Sequence, residues 1–193
     1  MRIKWPEIDF ELLMKVNPRT VGWIHLKDTP IDYPVVQGPD DSFYLTHNYS
    51  DEPSAHGCIF AWGNNSFPDK RCLLLGHAMQ DGTMFVALHH YYYDDGFFEA
   101  HPTIDLKTEN ADYLIRVWGA ILIADEYSFM TLLPRTQEHF DAWIKAVSAL
   151  SPFEADFDLR LEDDIMGLCT CRQLSDSEEW GTMMIIGKVE KNI

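Results

Sequence analysis

Two residues of this chain combine a reactive side chain with a setting that exposes it. Cys171 ends the apolar run Ile165-Met166-Gly167-Leu168-Cys169-Thr170-Cys171, just before the polar stretch Ser175-Asp176-Ser177-Glu178-Glu179. A thiol at a strand end beside a polar loop can face a substrate, which a thiol in mid-core cannot. His77 has the same address, because Leu73-Leu74-Leu75-Gly76 leads into it and a polar turn follows. Cysteine attacks as its thiolate, and a neighbouring imidazole is the commonest means of producing one. The two residues lie far apart in sequence, so only the fold can join them. On these residues alone a blander reading stays open, with His77 a turn histidine and Cys171 a core thiol. One absence bears on the chemistry. No Arg or Lys occurs from 173 to 187, so the start of the strand after the cysteine loop has no cation for an anionic transition state.

These side chains need a scaffold, and composition bounds it. At 193 residues and 46% hydrophobic, the chain suffices for one domain with a sizeable core, residues 1–17 forming an N-terminal helical appendage. A formal charge of -16 argues against nucleic-acid backbones and anionic membrane surfaces as partners. The longest apolar stretch, around Val117 to Ala124, is strand-sized rather than membrane-spanning. The start, Met1-Arg2-Ile3-Lys4-Trp5-Pro6, lacks the pattern of a signal peptide. Four cysteines are too few for a disulfide scaffold, and Cys58 and Cys72 read as buried, inert thiols. Neither Cys169-Thr170-Cys171 nor His89-His90 has the spacing of a metal site, so no metal or cofactor is expected.

Patterning predicts a helix over 9–16 capped by Asp9 and stopped by Asn17-Pro18, then strands over 22–26 and 31–36. Pro39-Asp40-Asp41 signals a short helix bearing Phe43, Tyr44 and His47. Strands follow over 57–62 and 72–76, then a helix over 83–90 capped by Thr83. A hairpin is expected from strands 103–106 and 112–123. Phe140, Trp143, Ile144 and Val147 recur at helical spacing, predicting a long helix over 136–150 with Thr136 as cap. Strands over 165–171 and 182–189 complete a mostly-β architecture, a barrel or sandwich with peripheral helices.

Several ordered segments together resemble a class B sortase over nearly the whole chain. They are Val16-Asn17-Pro18 with Val21-Gly22-Trp23-Ile24, then Ile31-Asp32-Tyr33-Pro34-Val35-Val36-Gln37-Gly38, then Tyr44-Leu45. Gly76-His77 with Met79, Asp81-Gly82, Met84 and Phe85 resembles the segment of the catalytic histidine. Leu168-Cys169-Thr170-Cys171 resembles the box of the nucleophile. The resemblance implies a sortase-type eight-stranded β-barrel, with an N-terminal helix and a long helix ahead of the cysteine strand. It implies a cysteine transpeptidase that cuts an Asn-Pro-x-Thr-Asn/Gly-type sorting signal after Thr, holds it as a thioester and passes it to a cell-wall or pilin amine. By the same motifs Cys171 would be the nucleophile and His77 the general acid, with Leu45, Asp41 and Thr170 on the signal groove. A membrane anchor upstream of Met1 and an extracytoplasmic location in a Gram-positive bacterium are implied as well.

In that family an Arg begins the strand after the cysteine loop, and here Thr182 stands in its place. A hydroxyl offers one neutral donor, whereas a guanidinium offers charge and a fork of donors. Losing an oxyanion donor typically costs about 2.7–4 kcal/mol. Strand alternation turns position 172 away from the face of position 171, which works against Arg172 as the replacement. The expectation is therefore a transpeptidase weakened at Thr182; the alternative is a sortase-fold peptide-binding protein impaired in catalysis.

Overall fold

The computed structural model describes residues 7–63, 67–123, 134–173 and 180–192, with the backbone but not the side chains at 171–173 and 180. Eight strands close into a barrel: β1 Thr20–His25, β2 Asp32–Gln37, β3 Ile59–Ala61, β4 Arg71–Leu75, β5 Thr103–Lys107, β6 Asp112–Ile123, β7 Ile165–Gln173 and β8 Trp180–Lys191. Their order around the barrel is β1-β2-β3-β4-β7-β8-β6-β5, and β5 pairs with β1 to complete it. Two pairs are parallel, β2 with β3 and β4 with β7. Each needs a crossover, and both crossovers carry candidate site positions: 38–58 holds Asp41 and Leu45, and 76–164 holds His77 and, among the described residues, the α-helices beyond the first.

The sheet's two faces are told apart by alternation. Ile24, Val35, Ile59, Leu74, Leu106, Ile115, Leu168 and Ile185 bring all eight strands into one buried cluster, the barrel interior. Leu73, Leu75, Cys169, Met184 and Ile186 belong to a second cluster on the outer face of β4, β7 and β8, continued by Phe60 and Trp118. Every residue of β4 is buried, as expected of a strand covered on both sides.

Helix α4, Gln137–Leu150, covers that outer face with Phe140, Trp143 and Val147, and Trp143 stacks on Trp118 with ring centroids 5.9 Å apart. Each such side chain contributes on the order of 1.5–3 kcal/mol through burial. Thr136 has the extended backbone of an N-cap and its carbonyl accepts from Phe140 N at 2.9 Å, but its hydroxyl makes no capping bond. The N-terminal helix α1, Phe10–Val16, is capped as its sequence predicts, Asp9 Oδ1 accepting from Leu12 N at 2.9 Å.

The segment after His77 departs from expectation. Thr83 caps no helix; its hydroxyl and amide both donate to Asp81 Oδ1, at 2.6 and 3.0 Å. Met84 follows at φ 58, and the chain winds as a 3-10 turn, Phe85–His89, before the one-turn helices α2, His90–Tyr93, and α3, Phe97–Ala100. Phe85 and Leu88 from that turn join the interior cluster. His47 lies past the 3-10 turn Phe43–Leu45, stacked on Phe43 with centroids 4.0 Å apart. Among the described residues no helix is long and apolar enough to cross a membrane.

Candidate active site

The parallel pairing of β4 and β7 decides which residues meet at their ends. Its last rung is Leu75 with Cys169, and Gly76 N adds a bond to Cys169 O at 3.1 Å. His77 and Cys171 each lie two residues beyond that rung, Cys171 on β7 and His77 in the loop that leaves the parallel β4. Two steps along β7 restore the side on which Cys169 sits, so the backbone puts position 171 there, while His77 follows in the loop that leaves β4. β7 runs on through Gln173, so Cys171 is near the strand's end rather than its last residue.

The β7–β8 ladder sets Thr182 directly opposite Cys171, as Met184 is opposite Cys169. Antiparallel partners share a face, with Cβ atoms about 4.5–5.5 Å apart. Thr182 is 5% exposed, so position 171 has a small polar neighbour at its side. Position 172 pairs with Gly181 and alternates to the inner face; the side chains of Cys171 and Arg172 lie outside the described residues. Thr170 is also on the inner side with Met166 and Leu168, 3% exposed, and its hydroxyl finds no hydrogen-bond partner among the described residues. Gly167 is tightly packed: a Cβ there would sit 2.7 Å from Leu73 Cδ2, and that side chain would have to move.

His77 is held from two directions. Its carbonyl accepts from Phe85 N at 2.8 Å, closing the loop from 77 to 85, and Met84 N donates to the Tyr33 hydroxyl of β2 at 3.0 Å. Asp81 ties this loop together and pairs with His56 at 3.0 Å. Its carboxyl is held down to about 2 by the Thr83 hydroxyl, then by His56 and the Thr83 amide. The imidazole itself puts Nε2 2.7 Å from the Leu45 carbonyl.

Leu45 and Asp41 sit on the crossover from β2 to β3. Asp40 Oδ1 accepts from Ser42 N and Phe43 N, both at 2.8 Å, and starts the 3-10 turn that presents Leu45. Tyr44, fully buried, accepts from Asn17 Nδ2 at 2.9 Å and donates to Asp51 Oδ1 at 2.8 Å through its hydroxyl. Leu45's side chain packs partly buried on the outer cluster, while Asp41 Oδ1 accepts from Gly63 N at 2.6 Å and fixes the exit of β3. Sequence reasoning missed the carbonyl of Leu45, since a backbone acceptor leaves no trace in residue type.

Arg116 and Arg71, two of the described cations, are engaged away from position 171. Arg116 lies seven residues down β6 from Ile123, the partner of Thr182, or roughly 23 Å away along the strand. It stacks on Phe157 at 4.1 Å and pairs with Asp156 at 3.2 Å. Arg71 opens β4 at the far end of the β4–β7 ladder, donating to the carbonyls of Lys70, Leu161 and Asp163 at 2.6 Å. Arg135 lines a cavity of about 360 Å³ beside it.

No family model matches the chain. It is 35% identical over 180 residues to Sortase B of Listeria monocytogenes, covering 92% of this chain and 72% of that protein. Among solved structures it is similar to a Staphylococcus aureus sortase B–substrate complex, with TM-score 0.83 and 28% identity over 95% of this chain and 85% of the other. A sortase B complexed with triglycine is similar too, with TM-score 0.83 and 26% identity, covering 95% and 86%.

Proposed function

Taking as premise that the chain belongs to the sortase B family of cysteine transpeptidases, we propose that it cleaves an Asn-Pro-x-Thr-Asn/Gly-type sorting signal after Thr and transfers the fragment to a cell-wall or pilin amine. The observation that carries this reading is the ladder register, with positions 171 and 182 paired and His77 leaving the next strand two residues past the Leu75–Cys169 rung. The Cys171 thiolate adds to the Thr carbonyl carbon, and the C–N bond breaks as His77 gives its proton to the leaving amine. The resulting thioester is then opened by an acceptor amine, whose proton returns to His77. The relatives solved with substrate and with triglycine support peptide and amine ligands in this groove. Leu45 and Asp41 border it. Thr170, buried on the inner face, supports the nucleophile strand from behind. The site of action is the extracytoplasmic face of a Gram-positive membrane.

The activity is attenuated. With no Arg or Lys from 173 to 187, the oxyanion meets the Thr182 hydroxyl rather than a guanidinium. The same observation favours a second reading, a groove that binds the signal without turning it over. A fluorogenic peptide panel with an amine acceptor separates the two. Cleavage and ligation that vanish in Cys171→Ala are expected. Peptide binding with no thioester, even at high protein concentration, would establish the second reading instead.

A further inference from the structure

An imidazole has two nitrogens, and this site distinguishes them. His77 Nε2 lies 2.7 Å from the Leu45 carbonyl, an oxygen that can only accept, so Nε2 must carry hydrogen in both the neutral and the charged ring. The carbonyl is held in place by its surroundings. Tyr44, the preceding residue, is fixed by its buried hydroxyl, and its own carbonyl accepts from Cys58 N at 2.9 Å. Gly57 lies beneath the ring in the left-handed region, at φ +61. A Cβ there would strike the Tyr44 carbonyl and come within 3.2 Å of both His77 Cδ2 and the Leu45 oxygen. The backbone therefore approaches the imidazole along its Nε2–Cδ2 edge only because position 57 has no side chain.

We propose that the Leu45 carbonyl locks His77 as its Nε2–H tautomer, making Nδ1 the nitrogen that exchanges protons during catalysis, with Gly57 as the positioning residue that admits this contact. The proposal rests on the reading of His77 as the general acid. In acylation the charged ring carries hydrogen on both nitrogens. As the scissile C–N bond breaks, the Nδ1 proton passes to the departing amine nitrogen, and the ring is left neutral with its Nε2–H still on Leu45. In the second half, the attacking amine's surplus proton returns to Nδ1 as the C–S bond breaks and the thiolate reforms. The bond to Leu45 persists throughout, so the ring need not rotate between the two transfers.

Heteronuclear NMR of histidine-labelled protein tests this without turnover. The His77 signals are identified by their loss in His77→Asn. At a pH where the ring is neutral, Nε2 is expected in the protonated range of shifts and Nδ1 in the unprotonated range. The reverse assignment would overturn the proposal. Gly57→Ala supplies a second readout: kcat is expected to fall by at least about tenfold with KM nearly unchanged, the pH profile to shift, and the tautomer signature to blur. A folded Gly57→Ala protein with wild-type kcat and profile would refute the positioning role. Absence of turnover in the wild type would count against the transpeptidase reading itself, while the tautomer stays readable in the same spectra.

Discussion

A guanidinium at position 182 would project beside Cys171, since the two positions pair directly across β7 and β8. Charge and a second donor at the oxyanion are worth about 2.7–4 kcal/mol in favourable cases. Thr182 is nearly buried, so a longer side chain must run along the outer face to reach the groove. Some of that gain is therefore lost to strain, and Thr182→Arg should raise kcat/KM by about ten- to a hundredfold. Thr182→Val, which removes the hydroxyl at constant shape, should lower it by about tenfold or less. A folded Arg variant with unchanged kcat/KM would show that the oxyanion is stabilised from elsewhere. Thiol chemistry separates the cysteines in the same way. Burial pushes the Cys58 and Cys72 thiols up to about 12, and Cys169 is buried in the outer cluster. Iodoacetamide at neutral pH should accordingly label one cysteine, Cys171, as read by peptide mass mapping, and Cys171→Ala should remain unlabelled. Labelling of Cys58 or Cys72 in folded protein would contradict their inertness.

At the scale of elements, much was legible because periodicity reports burial. The short apolar runs that predicted strands at 22–26, 31–36 and 165–171 form strands whose alternate residues separate the barrel's two faces, and the Phe140-Trp143-Val147 stripe does cover the outer one. The reading failed where short polar side chains compete for the backbone. Thr83 looks like a helix cap, but Asp81 two residues earlier takes both its amide and its hydroxyl, and a turn forms instead. That turn has a pH signature. Asp81's folded pKa of about 2 lies below the ordinary carboxylate value of about 3.9, so its stabilising contribution is complete above that value. It is lost as pH falls through about 2. In urea titrations Asp81→Asn should therefore be less stable than wild type above about pH 4, and the two should converge by about pH 2. A difference that stays constant across this window would mean that Asp81 acts by shape rather than by charge.

At the scale of the whole molecule, charge is the property that reaches beyond the groove. The chain carries 31 acidic against 15 basic residues, and several of its cations are already neutralised. Arg19 is paired with Asp51 at 2.6 Å, Lys188 with Asp163 at 2.9 Å and Arg116 with Asp156 at 3.2 Å. A formal charge of -16 gives the molecule a net negative field that reaches into the surrounding solvent. Peptides entering the groove should feel that field through water over about a Debye length, some 10 Å at moderate salt. Two substrates with the same sorting motif, one flanked by lysines and one by glutamates, ought to respond oppositely to salt. Between about 20 and 200 mM NaCl, kcat/KM for the lysine-flanked peptide should fall several-fold while that for the glutamate-flanked peptide rises. The effect belongs to association, so kcat should change little for either peptide. Parallel salt responses would mean that short-range contacts in the groove govern capture, and that the net charge of -16 has no part in choosing the substrate.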